Sequence, residues 1–285
     1  MSEPLLNAME QTRYLLGFDF VLSSLLAAAL LGVLSGVIAP LVVLRQMSFG
    51  VHATSELALM GAAVALFFGV SLSLGAVAGS VAAALLLVLF GLRGGNDAAV
   101  GVVMSFGMGV SVLFLYLYPG NSTTAMALLT GQIVGVTGAG VRSLAIATVI
   151  ALAVVALLWR PLLFASADPE VAAAAGVPVR LVSTAFAVLL GLAAAQTVQI
   201  VGALLVMSLL IAPGASAVAV TANPRAAVAL SVAFAEAAAV GGLILSLAPG
   251  LPVSVMVAFI SFGIYLICRV VGGRRARRIQ GVSRG

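Results

Sequence analysis

The sequence predicts an all-α fold, a polytopic membrane helical bundle of about eight to nine transmembrane helices, and three observations carry that prediction. Hydrophobic residues make up 63% of the chain and charged residues 7%, a balance outside the soluble globular range. Apolar runs of about 20 residues recur from Phe18 to Val271, the length a helix needs to cross the hydrocarbon core. Short segments with Pro, Gly and the few charges separate the runs, and in lipid only helices or closed barrels satisfy every backbone group. A soluble reading is excluded.

Residues 1–17 place Leu5, Leu6, Met9 and Leu16 at helical spacing among polar residues, which suits a short helix lying in the interface. The segment lacks the basic start and clean apolar core of a signal peptide. One transmembrane domain then occupies 18–271, and a basic tail occupies 272–285. The first span, about 18–44, carries Gly32 and Gly36, a four-spaced pair that admits a close neighbour, and Pro40, expected to kink or break it before Arg45. Spans at about 52–68 and 71–91 follow, the latter with Gly75 and Gly79 again four apart. Asp97, after the hydrophilic LRGGND loop, is placed to cap the fourth span. Tyr116, Tyr118 and Pro119 mark that span's interfacial end. Residues 119–140, rich in Gly, Ser and Thr, read as an external loop with a short or re-entrant helix. A fifth span covers about 141–164. Asp168 and Pro169 then read as a helix start and Gly176 as its stop. Further spans are expected at about 181–195, 198–220, 226–247 and 252–271, the break at 195–198 having neither charge nor proline.

All thirteen basic residues are arginine, and six of them, Arg269, Arg274, Arg275, Arg277, Arg278 and Arg284, close the chain. Beside a transmembrane helix such a cluster faces anionic lipid on the cytoplasmic side rather than nucleic acid. With nine spans, Arg45, Arg93, Arg160, Arg180 and Arg225 join the tail inside, leaving Arg13 and Arg142 outside. The segment 167–178 is then cytoplasmic, within reach of a soluble partner.

The chain's one histidine, His52, is followed four residues later by Glu56. Side chains at that spacing project from one face of a helix. An ionisable residue at membrane depth costs roughly 2.5 to 3.5 kcal/mol on insertion scales, so its presence points to function. One imidazole nitrogen and one carboxylate are half of a shell for zinc, manganese or iron. Asp97 and Glu236 are further candidate metal contacts, Asp97 competing with its capping role and Glu236 with a structural hydrogen bond. Met47, Met60, Met104 and Met207 read as packing, and Gln196 and Gln199 as residues near an outer helix end. The single Cys268 forms no intramolecular disulfide.

Four stretches in order, LRQMSFGVHATSELALMG at 44–61, LLTGQIVGV at 128–136, ADPEVAAAAGVP at 167–178 and VGALLVMSLLIAPGASA at 201–217, resemble the membrane permease of the bacterial zinc, manganese and iron ABC importers, the ABC-3 type. The resemblance implies a type II ABC importer permease in the bacterial cytoplasmic membrane with its C-terminus inside. It implies a homodimer gripping a cytosolic ATPase subunit and fed by an extracytoplasmic metal-binding protein. No permanent cofactor is implied: the metal is cargo and ATP sits on the partner. Coupling to the ATPase falls to the 167–178 helix, with Asp168, Pro169, Glu170, Ala172 and Gly176 as its site residues. One departure stands out: the family usually has aspartate where this chain has His52 and histidine where it has Glu56.

Other chemistries fit less well. An intramembrane metalloprotease needs H-E-x-x-H, which one histidine cannot supply, and no Walker-type phosphate loop is present. This chain is therefore not expected to be an enzyme. Import of a metal chelate is the alternative cargo, and an ion-coupled secondary transporter the more distant reading, lacking a convincing internal repeat. The expected mechanism is alternating access past a weak, incomplete site, since an ion that must leave cannot be held in a closed cage. Binding needs neutral imidazole, so uptake is expected to fall on acidification.

Overall fold

The computed structural model describes residues 14–89, 97–121, 128, 136–247 and 251–282, with side-chain surroundings left out at a few helix ends, notably Asp97 and 274–282. The predicted interfacial segment at 1–17 and the re-entrant helix in 119–140 lie almost wholly outside these residues. The elements are α1 (Asp19–Leu44), α2 (Ser48–Phe67), α3 (Leu72–Leu89), α4 (Asp97–Leu117), α5 (Gly138–Leu157), α6 (Trp159–Ala167) and α7 (Pro169–Ala174). They continue with α8 (Val179–Val201), a 3₁₀ turn (Ala203–Leu205), α9 (Val206–Leu210), α10 (Ala212–Val220), α11 (Pro224–Leu247) and α12 (Val253–Val282). Among the described residues 7 helices are long and apolar enough to cross a membrane, with Leu72–Val88 and Val206–Val220 as shorter apolar segments.

The bundle is organised around α1, which packs against α11, α5 and α10. Its buried residues form one stripe at first, Val21, Ser24, Ala27, Ala28 and Leu31, and run round the whole cylinder from Leu34 to Val42. A helix apolar all round belongs inside a membrane bundle. Close approach is obtained with small residues, because lipid offers no hydrophobic drive between helices and packing must supply the attraction. A Cβ on Gly36 would sit 2.5 Å from the Val232 Cα of α11, and one on Gly75 of α3 would collide with the Gly61 carbonyl of α2. The pairings Gly32 with Glu236 and Gly36 with Val232 make α1 and α11 antiparallel.

Three expectations need correction. Pro40 does not break the first span, which continues to Leu44. Here α10 packs tightly on the proline itself, a Cβ on Gly214 being 2.6 Å from the Pro40 nitrogen, and neighbouring helices are what make proline tolerable in a membrane helix. The break expected at 195–198 is absent: α8 runs unbroken to Val201 and ends at Gly202, whose φ of 85° needs a residue without Cβ. The following stretch to Val220 is itself interrupted at Ile211 (φ −126°, ψ −53°), just before Pro213. The fifth span is shorter than expected, ending at Leu157, with α6 a separate helix after it.

Candidate metal pathway and coupling helix

The turn that launches α2 is a Schellman motif. Gln46 N–H donates to the Val43 carbonyl (3.1 Å) and Met47 N–H to the Val42 carbonyl (3.0 Å). Gln46 takes the left-handed position at φ 54°, where glycine is usual. Ser48 starts the next helix at once, so His52 lies about 6 Å, and Glu56 about 12 Å, along its axis. Glu56 is therefore near the middle of α2 rather than at an end.

Around this pair the helix satisfies its own hydroxyls. Thr54 Oγ1 donates to the Gly50 and Val51 carbonyls at 2.9 Å, and Ser55 Oγ to the His52 carbonyl at 2.8 Å. Neither hydroxyl turns to the ionisable side chains, and His52 Nδ1 and Glu56 Oε2 are both buried with no hydrogen-bond partner. His52 is half-buried and Glu56 is 8% exposed. Buried polar groups in folded proteins are almost always paired, and these two unpartnered atoms, a nitrogen and an oxygen, lie on one face of the helix. The surroundings are tight: Ala53, Leu87 and Val100 form a small apolar cluster with Met104 across α2, α3 and α4. A Cβ on Gly107 of α4 would lie 2.8 Å from Leu57 Cδ1.

Asp97 is the first residue of α4, about 4.5 Å of helix rise before Val100, which shares the apolar cluster of Ala53 beside His52, and its own side chain lies outside the description. Glu236 stands in the α1–α11 seam, its buried Oε1 unpartnered and 2.8 Å from where a Gly32 Cβ would be. Among the described residues no group of three or more His, Cys, Asp or Glu is placed to hold a metal ion. Met60, one turn beyond Glu56, is half-buried, whereas Met47 and Met207 pack on the main core. Gln196 and Gln199 are interhelical ties: Gln196 Nε2 donates to Ser143 Oγ at 3.3 Å, and Ser73 Oγ donates to Gln199 Oε1 at 2.5 Å.

The helix α7 forms as the sequence indicates. Asp168 Oδ1 accepts from the Glu170 and Val171 N–H groups at 3.0 Å, Pro169 takes the first helical position, and Gly176 closes the helix at φ 84°. Glu170 and Val171 are exposed, but Ala172 is fully buried in the main core. Ala172 thus anchors α7 in the core, and the exposed apolar side chain of Val171, missed in the sequence, points away from it. Arg45 was also missed. It joins the end of α1 to α6 and α8 through Ser166, Leu162 and Phe186, contacts that span more than a hundred residues and leave no local signal.

Comparison with known proteins agrees with this architecture. The ABC 3 transport family matches residues 17–272. The manganese transport system membrane protein MntC of Listeria monocytogenes is 30% identical over 259 residues, covering 87% of this chain and 91% of its own. The high-affinity zinc uptake system membrane protein ZnuB of Haemophilus influenzae is 25% identical over 231 residues, 80% and 88% of the two chains. Among solved structures, PsaBC from Streptococcus pneumoniae in complex with Fab superposes with TM-score 0.83 at 24% identity, covering 91% of this chain and 94% of that one.

Proposed function

The chain belongs to the ABC 3 transport family, and from that premise we propose that it is the permease of an ATP-driven importer. It carries a divalent transition metal, manganese, zinc or iron, past His52 and Glu56 by alternating access in a homodimer. The observation that carries the site is the pair of buried, unpartnered atoms His52 Nδ1 and Glu56 Oε2 on one face of α2. Nitrogen and oxygen donors together suit borderline cations, and the matching relatives are manganese and zinc permeases. Two donors from one protomer make an open site, and a homodimer doubles them across its axis. An ion held this way can leave, as transport requires.

The order of the two residues is reversed relative to the family habit, yet donor types and spacing are kept, so the helix presents the same two donors at the same two positions, exchanged. ATP hydrolysis belongs to a separate cytosolic subunit docking on α7 through Glu170 and Val171, with the C-terminal arginines on that same side. An extracytoplasmic metal-binding protein supplies the ion at the opposite face. Cells lacking the gene and its neighbours, then complemented, test this reading through uptake of manganese, zinc and iron. Restored uptake of one ion, lost in His52→Ala, is the expected result. Uptake of no simple ion would sink the metal-ion reading and direct attention to a chelate.

A further inference from the structure

We infer that Arg45 is the positioning residue that ties the coupling helix to the metal-bearing helix. Its Nε donates to Ser166 Oγ at 2.9 Å, its Nη2 reaches the Leu162 carbonyl at 3.5 Å, and its guanidinium lies 4.8 Å from the centre of the Phe186 ring. Ser166 Oγ in turn donates to the same Leu162 carbonyl at 2.5 Å, so the hydroxyl accepts from the arginine while its own proton fixes its direction. Phe186 is fully buried. An arginine serving only as a charge at the membrane surface would extend to water or lipid phosphate. This one instead spends its planar donors on α6 and its face on α8, a use lysine cannot copy.

The position in the chain turns this clamp into a linkage. On one side, Ser166 is in α6, and only Asp168 separates α6 from α7. On the other, Arg45 is the C-cap of α1, directly before left-handed Gln46 and the start of α2 at Ser48. The Schellman hydrogen bonds fix the angle between α1 and α2, so the turn moves as a unit. A displacement of α7 by its partner therefore passes through α6, Ser166 and Arg45 to the root of the helix bearing His52 and Glu56.

This inference rests on the proposed reading of the chain as an ATP-driven metal permease. The test uses the whole importer, permease with ATPase and binding protein, in proteoliposomes, measuring Mn²⁺, Zn²⁺ and Fe²⁺ transported per ATP hydrolysed. For Arg45→Ala the ratio should fall about tenfold, inside the 5- to 150-fold span usual for coupling between sites, while ATP hydrolysis and assembly persist. Arg45→Lys and Ser166→Ala should lie between this variant and wild type. If Arg45→Ala fails to assemble, Ser166→Ala decides: a lowered ratio supports the linkage and an unchanged one overturns it. An unchanged ratio in an assembled Arg45→Ala complex also overturns it. Failure of the wild-type complex to move any of the three ions would instead defeat the functional reading itself.

Discussion

Glu56 and Glu236 are two intramembrane carboxylates that differ in what faces them. Both carry a buried oxygen without a hydrogen-bond partner. Glu56 has an imidazole one turn away on its own helix, whose Nδ1 is equally unpartnered. Glu236 is pressed against the backbone of Gly32, in a seam where Ser35 and Ser231 also leave buried hydroxyls unpaired. The lesson is that an ionisable residue in a membrane becomes a candidate cation site through its neighbours. A carboxylate beside a nitrogen donor invites a metal, whereas one beside a glycine fills the space the glycine leaves.

The comparison predicts unequal variants. Replacing His52 or Glu56 by Ala is expected to lower metal uptake about 10- to 100-fold, the scale seen when a metal's ligand environment is disturbed, measured as initial rates in complemented cells. Next in size is a backbone effect on the Glu236 side. Gly36→Leu should destabilise the α1–α11 seam by about 1 to 3 kcal/mol or more through overpacking, read as a lowered melting temperature of the purified protein. A Cβ there would meet Val232 backbone, which has nowhere to yield. Reversing charge at the exposed Glu170, as in Glu170→Arg, should weaken ATPase binding by about tenfold, or about 1.4 kcal/mol, without altering metal binding to the permease. Smallest is Glu236→Gln, which keeps shape and removes charge. Its uptake should stay within about twofold of wild type, a difference of only about 0.4 kcal/mol, and a loss as large as that of Glu56→Ala would erase the distinction drawn between the two carboxylates.

The fold was largely legible because membrane helices announce themselves by length and apolarity, and the four-spaced glycines Gly32, Gly36, Gly75 and Gly79 did mark close helix contacts. The boundary between α8 and the broken segment after it was not. Ala193 to Val201 is apolar enough to continue, Gln196 and Gln199 find serine partners on other helices, and only the backbone shows that Gly202 makes the break. The α7 helix was legible through Asp168, Pro169 and Gly176, since capping is local chemistry. Which of its residues face outward was not, because burial of Ala172 depends on helices far away in sequence. His52 and Glu56 stood out as residues that should not be there. Arg45 did not, since the rule that puts arginines on the cytoplasmic side already accounted for it, and its partners Leu162, Ser166 and Phe186 carry no signal of their own.

The most direct test of the central claim is ATP-dependent uptake of Mn²⁺, Zn²⁺ and Fe²⁺ by the reconstituted importer, comparing wild type with the double variant His52→Ala, Glu56→Ala at matched levels of assembled complex. The account predicts uptake of at least one ion by wild type and its loss in the double variant, with the complex still hydrolysing ATP. Undiminished uptake by the double variant would contradict it.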